Sequence, residues 1–546
     1  MTATLRAAAR IMTSCVLAAL GISGAIWLHA QQIDTRSLAS LFPPGALLYL
    51  EAKDFHALLN AWNASSEKKS WLASANFGIL SRSRLVGRLA EAQTQFESVA
   101  GVPVALNLAD QSAGHQSAFA FYDLAALTFL YLTKVDASLL DANELWRARS
   151  QYQMRQVAGI NFFVRTDAAT KRSACFASYK SWFLIATGEN QIAAALTLLS
   201  GAPASSLGTE SWFARANALS SSQGDLRLVY NLEKLLATPQ FRTYWIQRNA
   251  SELKPFAAGI SDLSLRAGLW EEQRALLKQS PSSAVQPSGS LATVTRYAAP
   301  TASLYRAWDS PDKATLSSVV QQVIFGEAAQ VENLDRYAPA VSADVPAVGS
   351  VTDLETRIDE PVSTRDRHES LEPLISALSA MQPVALAHIQ TTIDVPGNVF
   401  VLPQSGVVLE CVHPQRAALD TALAAMTTIS QTGTLDPLRI SVSDRIIVLS
   451  RLDLAPVSGS TIDRQVTYAA AYSHASEWPY YRKLFDLIDR RPISSEMQAP
   501  QAEPPFFSGN LRSLGDTISG LQRASISSRD EGPQLRETVR YEVAMP

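Results

Sequence analysis

The stretch AFAFYDLAALTFLYLT, from Ala118 to Thr133, decides the fold class of this chain. It reads as two strands, Ala118–Leu124 and Leu127–Thr133, with aromatic residues concentrated between Phe119 and Tyr131. Three more strands follow: Asn161–Thr166, Ala174–Tyr179 and Trp182–Thr187. A helix is expected over Asn143–Val157, with Asp141 and Glu144 placed to cap its start. Helix Gln191–Ser200 closes the run, with Gly201 as its C-terminal cap. Consecutive strands with amphipathic helices between them make an α+β meander.

Upstream, Leu41–Gly45 forms a turn, Ala46–Glu51 a strand and Phe55–Trp62 a short helix. A longer helix spans Ile79–Val99, with Leu85, Leu89, Phe96 and Val99 near one face. Downstream, strand Asp225–Asn231 leads into helix Leu232–Ala237, and further strands are expected at Gly259–Trp270, Ala275–Lys278 and Ser290–Tyr297. Ser310-Pro311 starts a helix running through Leu316, Val320 and Ile324. Helix His368–Met381 must place Pro373 in its first turn or bend there. The last third reads as strands Val384–Thr391, Val399–Leu402 and Val407–Val412, a helix opened by Pro414, and a hairpin Leu438–Val442/Arg445–Ser450. Strand Val466–Tyr472, helix Glu477–Ile488 capped by Ser476, helix Asn510–Leu521 and strands Ala524–Ser528 and Leu535–Val543 complete it.

One pattern recurs. GALLYLEAKDFHALL from Gly45, GDLRLVYNLEKLL from Gly224 and VTYAAAYSHASEWPYYRKLF from Val466 each run from a strand with a Tyr near its end into an apolar helix. The echo is loose and leaves divergent internal duplication open. The predicted fold class is therefore α+β and multi-domain, antiparallel strand meanders packed with amphipathic helices. The predicted division is 31–205, 206–382 and 383–546, after a leader at 1–30.

That leader holds the apolar run IMTSCVLAALGISGAIWL, Ile11 to Leu28, behind Arg6 and Arg10. Its 18 residues lie between a signal-peptide core and a spanning helix, and the arginines keep the N-terminus cytoplasmic. Export follows, with the segment either cleaved as a signal peptide or retained as an inner-membrane anchor facing the periplasm. Ala30 suits a cleavage site, but Leu28 is larger than the residue preferred there. Cys15 lies too early in the run for lipoprotein processing.

At 546 residues, with 47% hydrophobic and 18% charged residues, the body is globular. A net charge of −3 gives no basic field, so nucleic acid is excluded as a partner. Beyond the leader only Cys175 and Cys411 remain, and they read as two separate buried thiols, although a disulfide is open to them in an oxidising compartment.

No pattern carries catalysis, a metal or a cofactor. The seven histidines are dispersed, with no zinc-hydrolase pair; His388 reads as core and His413 as a helix start. No serine occupies a Gly-x-Ser-x-Gly elbow, Gly114-His115-Gln116-Ser117 reads as a turn, and no glycine-rich phosphate loop occurs. The acidic residues of DLETRIDEPVSTRDRHESLE from Asp353 alternate with Arg357, Arg365 and Arg367, which marks a solvated, self-paired surface. The aromatics at Phe119–Tyr131, Trp182-Phe183 and Trp478–Tyr481 read as core, with a pocket for an apolar ligand as the alternative.

The apolar leader, Pro-Pro-Gly-Ala-Leu-Leu-Tyr-Leu at 43–50, the strand pair Ala118–Thr133, Ala302-Ser-Leu-Tyr-Arg-Ala-Trp308 and Phe506-Phe-Ser-Gly-Asn510 together resemble a bacterial envelope family known as domain of unknown function 3352. The resemblance implies an exported or anchored α+β protein without established activity, and it carries no functional residues over. The expected role is non-enzymatic: binding, scaffolding or assembly in the cell envelope, with the membrane met through segment 11–28 and an envelope protein as partner. The alternatives are an exported hydrolase with an unrecognised site, and a periplasmic carrier of lipid or another apolar ligand. An enclosed apolar cavity separates the carrier from the others.

Overall fold

The computed structural model describes residues 37–74, 77, 84–103, 111–220, 223–239, 253–266, 268–283, 286–299, 302–325, 364–394, 401–425, 438–457, 462–490, 512, 515–516 and 520–544. Eighteen strands lie among them. In the N-terminal half they are β1 (Leu48–Ala52), β2 (Ser117–Asp123), β3 (Thr128–Lys134), β4 (Gln153–Val157), β5 (Ile160–Thr166), β6 (Ser173–Tyr179), β7 (Trp182–Ala186), β8 (Leu226–Asn231), β9 (Phe256–Arg266) and β10 (Leu269–Lys278). In the C-terminal half they are β11 (Leu304–Asp309), β12 (Pro383–Asp394), β13 (Val401–Cys411), β14 (Arg439–Val442), β15 (Ile446–Ser450), β16 (Tyr468–Ser473), β17 (Leu521–Asp530) and β18 (Gln534–Val543).

Every ladder is antiparallel, and the ladders join all the strands into one sheet. Its order is β4-β5-β6-β7-β3-β2-β1-β8-β9-β10-β18-β17-β16-β11-β12-β13-β15-β14. With thirteen helices alongside the sheet among the described residues, the α+β class holds. Pairing crosses both internal boundaries of the three-part division: β1 bonds to β8, and β11 to β12.

The sheet repeats itself. β1, β8, β11 and β16 each lead into helix and then into a hairpin, giving four strand-helix-hairpin units. In each half the first strands of two units pair with each other, so Leu48 faces Tyr230 across β1–β8 as Leu304 faces Tyr472 across β11–β16. The outer hairpins agree as well: Cys175 opposes Ala186 in β6–β7 as Arg439 opposes Ser450 in β14–β15. The corresponding strands β10 and β18 meet at the centre, where Gln273 faces Thr538 midway along the ladder. Two equivalent strands paired antiparallel about their midpoint relate the halves by a local two-fold. The sequence echo at Gly45, Gly224 and Val466 is the opening of three of these units. The fourth opens at Leu304-Tyr305, the counterpart of Leu48-Tyr49.

Each half buries both faces of its sheet. In the first half one face packs Tyr49, Leu130, Leu132 and Leu184 against helix Glu189–Ser200 and Phe213. The opposite face packs Phe176, Phe183 and Ile185 against Val99, Leu145 and Tyr152. In the second half, helices Lys313–Phe325, Thr364–Ala380 and Arg416–Ala424 cover Leu386, Val407, Leu409, Ile447 and Leu449. Leu291 and Val294 lie beneath the reverse face. Burial of each such side chain contributes roughly 1.5–3 kcal/mol.

Several elements differ from the sequence reading. Asn143–Val157 is not one helix. The Asn143 side chain caps the short helix Glu144–Arg147, a 3-10 turn follows, and Gln153–Val157 becomes β4. Ala158 and Gly159, with φ of 50° and 75°, form the tight turn that pairs β4 with β5 and overrides helical spacing. Ser290–Tyr297 contains helix Leu291–Thr295 instead of a strand, because Leu291 and Val294 at helical spacing both reach the core.

The caps shift too. Ser310 has φ 49°, and it is Asp312 that accepts from the Thr315 amide at 2.7 Å at the head of helix Lys313–Phe325. The late helix starts at His474, with Ser473, not Ser476, taking an amide hydrogen bond at its start. Gly201 ends its helix in the left-handed region, φ 87°, as expected. Segment 11–28, residues 353–360 and most of Asn510–Leu521 lie outside the described residues. Among those described, no helix is long and apolar enough to cross a membrane.

Candidate functional site

The β2–β3 hairpin splits its side chains between two environments. Ala118, Ala120, Leu130 and Leu132 point into one core and are buried. Phe119, Phe121, Phe129 and Tyr131 stand on the other face, which alternation along a strand requires. The register sets Phe119 opposite Tyr131 and Phe121 opposite Phe129, while Leu50 and Ala52 of β1 sit beside Phe119 and Ser117. Asp123 closes the hairpin by accepting from the amides of Ala125 and Ala126 at 2.7 and 3.0 Å. Phe119 stacks on Phe129 at 5.4 Å between centroids, and Phe96 of helix Arg84–Ala100 approaches Phe129 at 6.1 Å.

Over this aromatic floor the helices make few buried contacts among the described side chains, although Phe55 approaches Tyr131 at 6.4 Å. Helix Phe55–Ala64 has no buried residue, and helix Arg84–Ala100 buries Val99 and Ala100 in its last turn. Between floor and helices lies a cavity of about 690 Å³, lined by Leu50, Ala52, Phe55, Phe96, Phe119, Phe121, Phe129, Tyr131, Ile185 and Leu226 among others. A volume of that size lies within the usual range for small-molecule sites, roughly 300–1,000 Å³.

Polar groups on the floor are satisfied locally. The Tyr131 hydroxyl donates to the Ser112 carbonyl at 2.7 Å and lies 3.2 Å from the Ser117 hydroxyl. Ser117 and Thr133 share a hydrogen bond at 2.6 Å, and the Gly114 amide donates to the Thr133 hydroxyl at 3.0 Å. Gly114 is needed for this approach, since a Cβ there would fall 2.0 Å from the Lys134 carbonyl oxygen. Burial raises the Tyr131 phenol above its ordinary value, so it stays neutral. Thr187 accepts from the Phe129 amide at 3.0 Å and donates to the Leu127 carbonyl at 2.9 Å. Of the lining residues only Arg172 is charged; its guanidinium donates to Gln95, which also lines the cavity.

The second half fills the same place. Its ladder puts Trp308 where the first half has Ala52, Leu386 where it has Ser117, Arg306 at Leu50 and His388 at Phe119. Leu316, Val320, Val323, Leu371, Leu374 and Leu378 press onto that face and are all buried. Arg306 bridges the Gln322 side-chain oxygen Oε1 at 2.9 Å and His388 Nδ1 at 3.1 Å, and its guanidinium lies 5.8 Å from the Trp308 ring centroid. Burial, helped by the Arg306 charge, pushes His388 down to about 3, so it is a neutral core histidine.

The other sequence candidates are not drawn together. His413 is exposed beyond β13, and Ser117 of the Gly114–Ser117 turn joins the hydroxyl cluster under the cavity. Trp182 and Phe183 are core residues, while Trp478 stacks on His474 at 5.9 Å along helix His474–Arg490. Cys175 and Cys411 are free buried thiols in β6 and β13, each pushed up to about 12 by burial. Among the described residues no three His, Cys, Asp or Glu side chains gather as a metal site. The sequence reading noticed the aromatics of Phe119–Tyr131 but missed Arg172, whose place at the cavity arises from the β5–β6 turn.

Neither a scan of family models nor a search of curated proteins finds a match. Solved structures of the protein TP0453, in crystal forms I, III and IV, are similar over 44–45% of this chain and 79–81% of theirs, at 11–12% identity. Their TM-scores of 0.23–0.24 carry no functional argument.

Proposed function

We propose that this is a non-enzymatic protein of the bacterial envelope that binds an apolar, acyl-chain ligand in the cavity of its first half. The apolar segment Ile11–Leu28 behind Arg6 and Arg10 supports an exported or membrane-anchored location, and the family resemblance agrees with it. One observation carries the ligand reading: a cavity of about 690 Å³ floored by Phe119, Phe121, Phe129 and Tyr131 stands where the second half holds Trp308 and packed helices. Its presence in one copy and absence from the other supports a ligand as the filling.

The test is to purify the protein from its native envelope, extract it with organic solvent and identify bound lipid by mass spectrometry, beside an Ala52→Trp variant. The expected result is stoichiometric acyl-chain material with the native protein and little with the variant. Equal, substoichiometric lipid on both would overturn the reading.

A further inference from the structure

We infer that the cavity ligand carries an anionic oxygen headgroup, a carboxylate or phosphate, held by Arg172 at the cavity wall. This deepens the acyl-chain reading and rests on it. Arg172 is the sole charged residue among the described residues that line the cavity. It is partly exposed, in keeping with a place between the apolar interior and solvent. A guanidinium at the edge of an apolar surface suits a ligand whose anionic group can meet it there. The structure gives it a neutral partner instead: one Nη1 contact to the Gln95 side-chain oxygen, from helix Arg84–Ala100. No carboxylate of the described residues pairs with it.

The position is built and not accidental. Arg172 ends the β5–β6 turn, where its carbonyl accepts from the Asp167 amide at 2.9 Å and the Lys171 amide donates to the Asp167 carbonyl at 2.9 Å. The Asp167 carboxylate is occupied within the turn, accepting from the amides of Ala169 and Thr170 at 3.2 and 3.0 Å. The turn thus fixes the arginine backbone without neutralising its charge. Ser173, the next residue and also a lining residue, spends its hydroxyl on Thr166 at 2.8 Å. That leaves the guanidinium, with five donors in a planar fork, as the group able to meet a carboxylate or phosphate two-fold. An amphiphile with its chain over Phe119 and Phe129 and its head at Arg172 satisfies both requirements.

The experiment titrates the purified protein with laurate, lauryl phosphate, lauryl alcohol and lauryl amine, which share a chain and differ in head. Arg172→Gln is titrated alongside. The acid or the phosphate should bind about tenfold more tightly than the alcohol, and the amine more weakly, in keeping with a charge-assisted hydrogen bond. Arg172→Gln should remove that preference and leave alcohol affinity unchanged. Carboxylate against phosphate preference identifies the source of the head. Equal affinity for acid, phosphate and alcohol overturns the headgroup inference and leaves the acyl-chain reading intact. Failure of every amphiphile to bind overturns both.

Discussion

Ala52 and Trp308 hold the same place in the two halves of the sheet, beside Ser117 and Leu386 respectively. In the first half a methyl group borders a cavity; in the second an indole fills the equivalent space. That single exchange marks how one arrangement yields a pocket in one copy and a packed core in the other.

Ala52→Trp should therefore be tolerated. Ala52 is 4% exposed, and an indole there must turn toward the cavity it borders, where the usual overpacking cost of about 1–3 kcal/mol is reduced. The expected stability change is below about 1 kcal/mol by denaturant titration, with loss of apolar-probe binding. Severe destabilisation would mean that the first-half helices already close over Ala52.

Asp262 is a deeply committed carboxylate of the first half. It takes Arg227 two-fold at 2.8 and 3.0 Å, the Ser220 hydroxyl at 2.6 Å and the Gly224 amide at 3.1 Å, with its side chain 2% exposed. Asp262→Ala removes the counter-charge of a guanidinium that is 13% exposed and also donates to Asn217, and should cost about 2–3 kcal/mol, below the figure for a fully buried pair. Asp262→Asn, which keeps the acceptor oxygen, should cost less; chemical denaturation of both variants checks the order.

His388 should make the second half acid-sensitive. Its folded pKa lies near 3, below the ordinary 6.5, so the unfolded chain binds the proton first as pH falls. The stability tied to neutral His388 is complete above about pH 6.5 and is lost progressively toward pH 3. His388→Gln keeps an acceptor for Arg306 but does not titrate, and should flatten the stability profile in that window. An unchanged slope would contradict the burial assigned to His388.

The two thiols should be inert in the folded protein. Cys175 and Cys411 are fully buried and held protonated, so thiolate chemistry is suppressed at both. Iodoacetamide followed by peptide mapping should mark them only after denaturation. Reductant should leave the mass of the native chain unchanged.

Much of the sheet was legible because its strands carry strong local signals. Ala118–Thr133 alternates cleanly, and the hairpin at Leu438–Ser450 falls within a residue of its expected bounds. The echo of strand, tyrosine and helix located three units because Tyr49, Tyr230 and Tyr472 stand near their strand ends. The fourth hid behind a longer connection, where Ser310 adopts a left-handed conformation before Asp312 starts the helix. Gln153–Val157 misled because its apolar spacing resembles a helix until the Ala158-Gly159 turn is considered.

Strand order is another matter. That β10 meets β18 and β3 meets β7 depends on contacts far apart in sequence, for which no local pattern speaks. The cavity was half legible. Its aromatics were visible as residues, but aromatics on strands are core far more often than pocket, and only the missing counterpart of Trp308 distinguishes the two. Arg172 gave no signal at all, since its role comes from where one turn places it.

The most direct measurement is photo-crosslinking with an acyl chain bearing a diazirine near its end, followed by peptide mapping of the labelled protein. The account expects label on the β2–β3 hairpin around Phe119–Tyr131 and on Phe96 or Val99, competed by unlabelled chain and lost in Ala52→Trp. Label confined to the exposed Trp62 and Leu72, or spread equally over the second half, would contradict it.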